Sequence, residues 1–111
     1  MTLPEAILFY MDGTVVDTEP LWEGAEGQVL AEMGTQMTPQ MRQKMLGSTL
    51  PRMVAILRSF ARNPLDEAVV ADRVEQGVID RLDAGLPWKD GLVELLAWCH
   101  EHSIPTAVVT A

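Results

Sequence analysis

The apolar run Ala6–Met11 stops at Asp12-Gly13, and its shortness constrains the fold more than any other feature of the chain. It is too short for a helix and lacks the alternation of a half-exposed strand, so it reads as a strand of a parallel sheet covered on both faces. A similar run, Ile104–Thr110, lies at the other end, introduced by Pro105 and centred on Val108-Val109. Only helical signals stand between the two. Two strands separated by helices make one α/β crossover, here with a helical block spliced into it.

The helical signals are local and legible. Thr18, before Glu19-Pro20, reads as an N-cap with proline in the first turn, and Leu21, Ala25, Val29 and Met33 recur every four residues until Gly34. Thr38-Pro39 opens a short second helix that Gly47 ends, and Pro51 opens a third with Met53, Ile56, Leu57 and Phe60 on one stripe. Asn63-Pro64 with Asp66 and Glu67 opens a fourth, whose stripe is Val70, Val74, Val78 and Leu82 and whose charged residues, Arg73 and Arg81 among them, read as a solvated face. Leu92, Leu95, Leu96 and Cys99 define a fifth.

Composition narrows the function. The 111 residues hold 16 acidic and 8 basic side chains, for a net charge of −8, with 48% hydrophobic residues. That hydrophobic content argues for a packed domain rather than an acidic disordered tail, and the charge argues against a nucleic-acid binder. No apolar run is long enough to span a membrane, and the N-terminus has no basic cluster of a secretory signal. The single cysteine, Cys99, excludes an internal disulfide and reads as a buried, inert thiol. The expected compartment is the cytoplasm, with no nucleic-acid or membrane partner. His100 and His102 read as surface residues rather than metal ligands.

The chemistry concentrates after the first strand. Asp12 stands at the C-terminal mouth of a predicted parallel strand, where α/β sheets bind ligands. Gly13 allows a sharp turn, and Thr14 offers a hydroxyl and a backbone N–H to an anion. Asp-Gly-Thr is also a common turn, and that reading stands beside the first.

The wider segment is more specific. Tyr10-Met11-Asp12-Gly13-Thr14-Val15-Val16-Asp17-Thr18-Glu19, followed by Pro20-Leu21-Trp22, resembles the first signature of the haloacid dehalogenase superfamily of phosphohydrolases, Asp-x-Asp-Gly-Thr-Leu/Val and then Asp-Thr-Glu. Leu86–Gly91 and the strand ending at Thr110 resemble the cap-to-core linker and second signature of its phosphatase and β-phosphoglucomutase-like branch. The resemblance implies an α/β fold: a partial doubly wound (Rossmann-like) parallel core from residues 1–17 and 87–111, with an inserted helical-bundle cap over 18–86. Trp22 reads as packing.

The resemblance also implies roles. The first aspartate of the signature attacks phosphorus to give an aspartyl-phosphate. The second, Asp12 here, protonates the leaving group and then activates water, while its backbone carbonyl ligates Mg²⁺. Residues i and i+2 of a strand point the same way, so two such carboxylates would face one phosphate. Thr110 matches the hydroxyl that bonds phosphoryl oxygens, and it equally reads as a plain β-branched strand residue. Gly47, Ser48, Thr49 and Arg52 align with a cap loop that contacts substrate, a small phosphorylated metabolite such as a sugar phosphate. They also read as a helix N-cap with a solvated arginine.

Two departures qualify these roles. Tyr10 occupies the nucleophile position, and a phenol is protonated at neutral pH and a poor Mg²⁺ ligand. The lysine and further aspartates of the third and fourth signatures have no counterpart in the 111 residues, and Lys89 falls in the linker. The expectation is the N-terminal portion of a larger, Mg²⁺-dependent phosphohydrolase, inactive as written. The alternative is a non-catalytic fragment or helical interaction module. Either way, two strands leave an apolar sheet edge open, which favours self-association.

Overall fold

A computed structural model describes residues 2–110. Its elements run β1 (Ile7–Tyr10), α1 (Glu19–Glu32), α2 (Pro39–Met45), α3 (Leu50–Phe60), α4 (Glu67–Asp83), α5 (Leu92–Glu101) and β2 (Thr106–Val109). The fold class is α/β, as the strand–helices–strand order predicts. The chain divides into two compact units, one from its two ends, up to Glu19 and from Leu86 onward, and one from Pro20–Gly85.

In the end unit β1 and β2 pair in parallel, with Ile7 opposite Thr106 and Tyr10 opposite Val109. Its buried hydrophobic residues include Phe9, Val16, Leu92, Cys99 and Ile104. Gly91, at φ +84°, caps the start of α5, where glycine alone avoids a steric penalty. At the other end of α5 His102 stacks on Trp98, and both histidines stay exposed.

Three expectations about this unit need correcting. The strands are not buried on both faces: Phe9 is the buried residue of β1, and all of β2 is exposed. The apolar content that suggested burial marks strands able to sit between two layers, and those layers are not both present among the described residues. Leu95 and Leu96, read as part of the inward stripe of α5, are exposed, whereas Leu92 and Cys99 are buried. Both strands are also shorter than their apolar runs, so Ala6, Met11, Ile104, Pro105 and Thr110 lie outside them.

The helical unit follows its sequence signals closely. α1 ends in a Schellman motif: the Thr35 N–H donates to the Leu30 carbonyl (3.1 Å) and the Gly34 N–H to Ala31 (3.0 Å), with Gly34 at φ +84°. The Thr38 hydroxyl accepts from the Met41 N–H at the start of α2 (3.3 Å). Thr49 caps α3 in the same way, accepting from Arg52. The core is a cluster of Val29, Leu30, Met33, Leu57, Val70 and Val74 with their neighbours, and Trp22 packs against it.

Polar ties join the elements of this unit. The Met33 carbonyl accepts from both Arg62 and Asn63 (3.0 Å each), and the Thr35 hydroxyl donates to the Phe60 carbonyl (2.9 Å). Glu26 is only 3% exposed and pairs with Arg42 of α2, which also approaches Glu23 at 3.8 Å. Arg81 departs from the solvated face expected of it. Its guanidinium donates to the Gly77 carbonyl (2.9 Å) and to Gln28 (3.3 Å) and lies over Gly24. The reason is the glycine, which leaves room for that stem beside α1.

Two predictions follow from this packing. A Cβ on Gly77 would sit 2.9 Å from the Ala25 Cβ, whereas one on Gly27 meets nothing within 4 Å. Gly77→Ala should therefore cost about 1–3 kcal/mol in urea or thermal denaturation, and Gly27→Ala should add about 0.5–1 kcal/mol. Arg42→Met strips the guanidinium from a buried carboxylate and should cost about 3–5 kcal/mol, most of it recovered by adding Glu26→Leu.

Candidate active site

The mouth of β1 is built by the backbone. After Tyr10 the chain turns tightly: Val15 and Val16 donate to the Met11 carbonyl (3.1 Å each), and Gly13, at φ +77°, donates to the Val16 carbonyl (2.8 Å). Glycine is required there because an L side chain is strained at that φ. The turn is braced from the Pro87–Lys89 segment, since Asp17 donates to the Pro87 carbonyl (2.8 Å) and Lys89 to Val15 (3.0 Å). Val16 also bridges Trp88. The result is a short, pinned loop presenting Asp12, Gly13 and Thr14, all exposed, at the C-terminal end of a parallel strand.

Asp12 is oriented by a partner that sequence reading placed elsewhere. The buried Thr18 hydroxyl donates to Asp12 Oδ1 at 2.8 Å. Thr18 reads as a helix N-cap from its place before Glu19-Pro20, and only the return of the loop on itself reveals the second role. The signal available in the sequence was its fixed offset within the Asp-Gly-Thr…Asp-Thr-Glu segment. A carboxylate held at one oxygen and open to solvent is a suitable proton carrier.

Tyr10 is the last residue of β1 and is 72% exposed. Asp12 lies past the strand end, in the turn, so the two positions are related by the loop rather than by strand alternation. Thr110 follows Val109, the register partner of Tyr10, and Met11 donates to the Val109 carbonyl (3.3 Å). The parallel register thus brings Tyr10, Asp12 and Thr110 to the same end of the sheet.

Gly47, Ser48, Thr49 and Arg52 belong to the helical unit. Gly47 has φ +70°, and Ser48 donates its hydroxyl to the Met45 carbonyl (2.6 Å). Thr49 is the N-cap of α3, and Arg52 is exposed on its first turn. The N-cap reading of this segment is therefore present in the structure, with the guanidinium left available to solvent.

The donor set does not fit a Mg²⁺ ion. This cation prefers carboxylate and other oxygen ligands in octahedral array, and at the β1 mouth a phenol stands where a carboxylate would be needed. Among the described residues no group of three or more His, Cys, Asp or Glu side chains is placed to hold a metal. Among those same residues no helix is long and apolar enough to cross a membrane.

Hexitol phosphatase B of Escherichia coli (strain K12) is 30% identical over 119 residues, taking in 100% of this chain and 52% of that protein. A Thermotoga maritima protein provisionally assigned as a β-phosphoglucomutase superposes with a TM-score of 0.82 at 25% identity, over 96% of this chain and 50% of that one. A haloacid dehalogenase hydrolase of Entamoeba histolytica HM-1:IMSS shares the fold at a TM-score of 0.81 and 20% identity, over 97% of this chain and 49% of that one. The chain thus spans about half the length of each. A profile described as haloacid dehalogenase-like hydrolase matches residues 7–111, the stretch that opens with β1 and contains the Asp12 loop. By that match, the chain belongs to the haloacid dehalogenase-like hydrolase family.

Proposed function

We propose that this chain is the cap and leading core strands of a phosphohydrolase or phosphomutase acting on sugar or sugar-alcohol phosphates. The end unit is its share of the catalytic core, and the helical unit is its cap. The observation that carries the reading is the pinned loop at the β1 mouth, with Asp12 exposed and held by Thr18 at 2.8 Å. Likeness to hexitol phosphatase B supports the substrate class.

In this reading Asp12 is the acid and base: it gives a proton to the leaving oxygen and later takes one from the attacking water. Gly13 sets the turn, its own N–H held by the Val16 carbonyl, while Thr14 offers its backbone N–H and hydroxyl to phosphoryl oxygens and Thr110 adds a hydroxyl from the end of β2. Ser48, Thr49 and Arg52 are recognition residues of the cap for the phosphorylated metabolite. Mg²⁺ is the family's cofactor, and the residues present do not make up its site.

Tyr10 leaves the chain without its nucleophile. Attack by a phenol would require losing its proton, and the adjoining Asp12 is reserved for the leaving group. The chain as written is therefore proposed to be silent in catalysis.

The test joins this chain to the part of hexitol phosphatase B that it does not match, and assays hexose and hexitol phosphates with Mg²⁺ present. The Tyr10 form should release no phosphate above background, and Tyr10→Asp should raise the rate by roughly 10³-fold or more. Comparable turnover by the Tyr10 form would overturn the inactivity, and a folded but inert Tyr10→Asp form would overturn the phosphohydrolase reading. In the active form Asp12→Asn should lower kcat by about 10²–10⁴-fold, as expected of an acid–base group.

A further inference from the structure

Three glycines lie inside helices of the helical unit, and close packing explains two of them. A Cβ on Gly24 would lie 2.6 Å from Arg81 Nε, and one on Gly77 would lie 2.9 Å from the Ala25 Cβ. Gly27, in the middle of α1, has neither reason. Its backbone is ordinary helix, and a Cβ there would meet nothing within 4 Å. Glycine weakens a helix interior relative to alanine, so at this position stability is given up with no packing need inside the chain. Such a loss is characteristic of places where function needs room.

The room belongs to a groove formed by α1, α2 and the loop joining them. A cavity of about 520 Å³ is lined by Glu23, Gly27, Met37, Arg42, Gln43 and Leu46. A second, of about 680 Å³, shares Gly27 and Met37 with it and continues past Gln36. Both volumes fall within the range of about 300–1,000 Å³ usual for small-molecule sites. The lining is mixed: Met37 and Leu46 offer apolar surface, Gln43 an amide that donates and accepts, and Glu23 an exposed carboxylate that accepts. Charge narrows the ligand. Arg42 pairs with Glu26 and lies 3.8 Å from Glu23, so two carboxylates surround one guanidinium, a net of 1 − 2 = −1. An anion gains nothing from that balance. Hydroxyl groups, each donor and acceptor at once, match the carboxylate and the amide together.

We propose that this groove binds the polyhydroxylated carbon chain of a sugar or sugar alcohol. Its hydroxyls donate to Glu23 and exchange hydrogen bonds with Gln43, its C–H faces lie on Met37 and Leu46, and the bare flank of Gly27 admits it to the surface of α1. The choice of a polyol among neutral ligands rests on the reading of the chain as part of a sugar-phosphate hydrolase. The ligand is a free sugar or the hydroxyl-bearing end of the phosphorylated substrate, with the same chemistry in the groove. Turnover by the joined protein tests the hydrolase reading, and binding to this chain tests the groove.

The probe is sorbitol, titrated into the isotope-labelled 111-residue chain and followed by backbone amide shifts in NMR spectra. Saturable shifts centred on Gly27, Met37, Gln43 and Leu46 are expected, with a Kd of about 1–10 mM, the scale for a ligand of about twelve heavy atoms in an open groove. Gly27→Leu fills the groove with a good helix former and should weaken binding about tenfold or more, and Gln43→Ala should weaken it about threefold or more. Gln76→Ala, at an exposed position of α4, should leave it intact, while circular dichroism confirms that the variants fold. Sorbitol 6-phosphate separates the two sources: tighter binding than sorbitol at the same amides marks the substrate's hydroxyl end, and equal or weaker binding marks a free sugar. Shifts that grow linearly without saturating, or binding that Gly27→Leu and Gln43→Ala leave intact, overturn the proposal. So does tighter saturation of the same amides by putrescine than by sorbitol, which would make the groove a cation site.

Discussion

The parallel pairing of β1 with β2 is the constraint on which the end unit depends. The strands are separated by most of the chain, with five helices between them in sequence. A parallel pair cannot be closed by a tight turn, so long crossover connections are intrinsic to it. The register Tyr10↔Val109 then fixes where the Asp12 loop opens and where Thr110 arrives. The same register puts Leu8 and Tyr10, both exposed, on one face of the sheet.

The two units solve the problem of charge differently. Seven of the eight cationic side chains of the sequence lie in the helical unit, whose net charge is only −2. There three of them meet carboxylates at short range: Arg42 with Glu26, Arg73 with Glu32, Arg58 with Glu67. The exposed pairs contribute little individually, whereas the Glu26–Arg42 pair is buried enough that its partners depend on one another. The end unit holds seven carboxylates and one lysine, a net charge of −6.

Much of this was legible in the sequence because helix ends are written locally. Thr38, Thr49, Gly34 and the prolines act through neighbours a few residues away, so the four helices of the inserted unit could be bounded from them. The strands were found but their burial was overstated, since apolar composition records what a strand can be packed between, not whether both layers are present. Asp12 was visible from its place after an apolar run, but the Thr18 hydrogen bond needed the loop to fold back. Arg81 was misread for a similar reason: its surroundings are set by Gly24 and Gln28, more than fifty residues distant in sequence. Tyr10 was identifiable as a departure from a signature, and its exposure came only from the structure.

The backbone bonds from Asp17 to Pro87 and from Lys89 to Val15 have a consequence for how such a chain can vary. They tie together the two points where the polypeptide leaves for the helical block and rejoins it. To the strands, everything between is a closed loop whose ends already meet. Closing a longer or shorter loop changes the entropy only slowly with its length. Helices in that interval can therefore be lengthened, exchanged or removed with little effect on the register of β1 and β2. The helical block of a descendant is thereby free to change while the Asp12 loop stays in place.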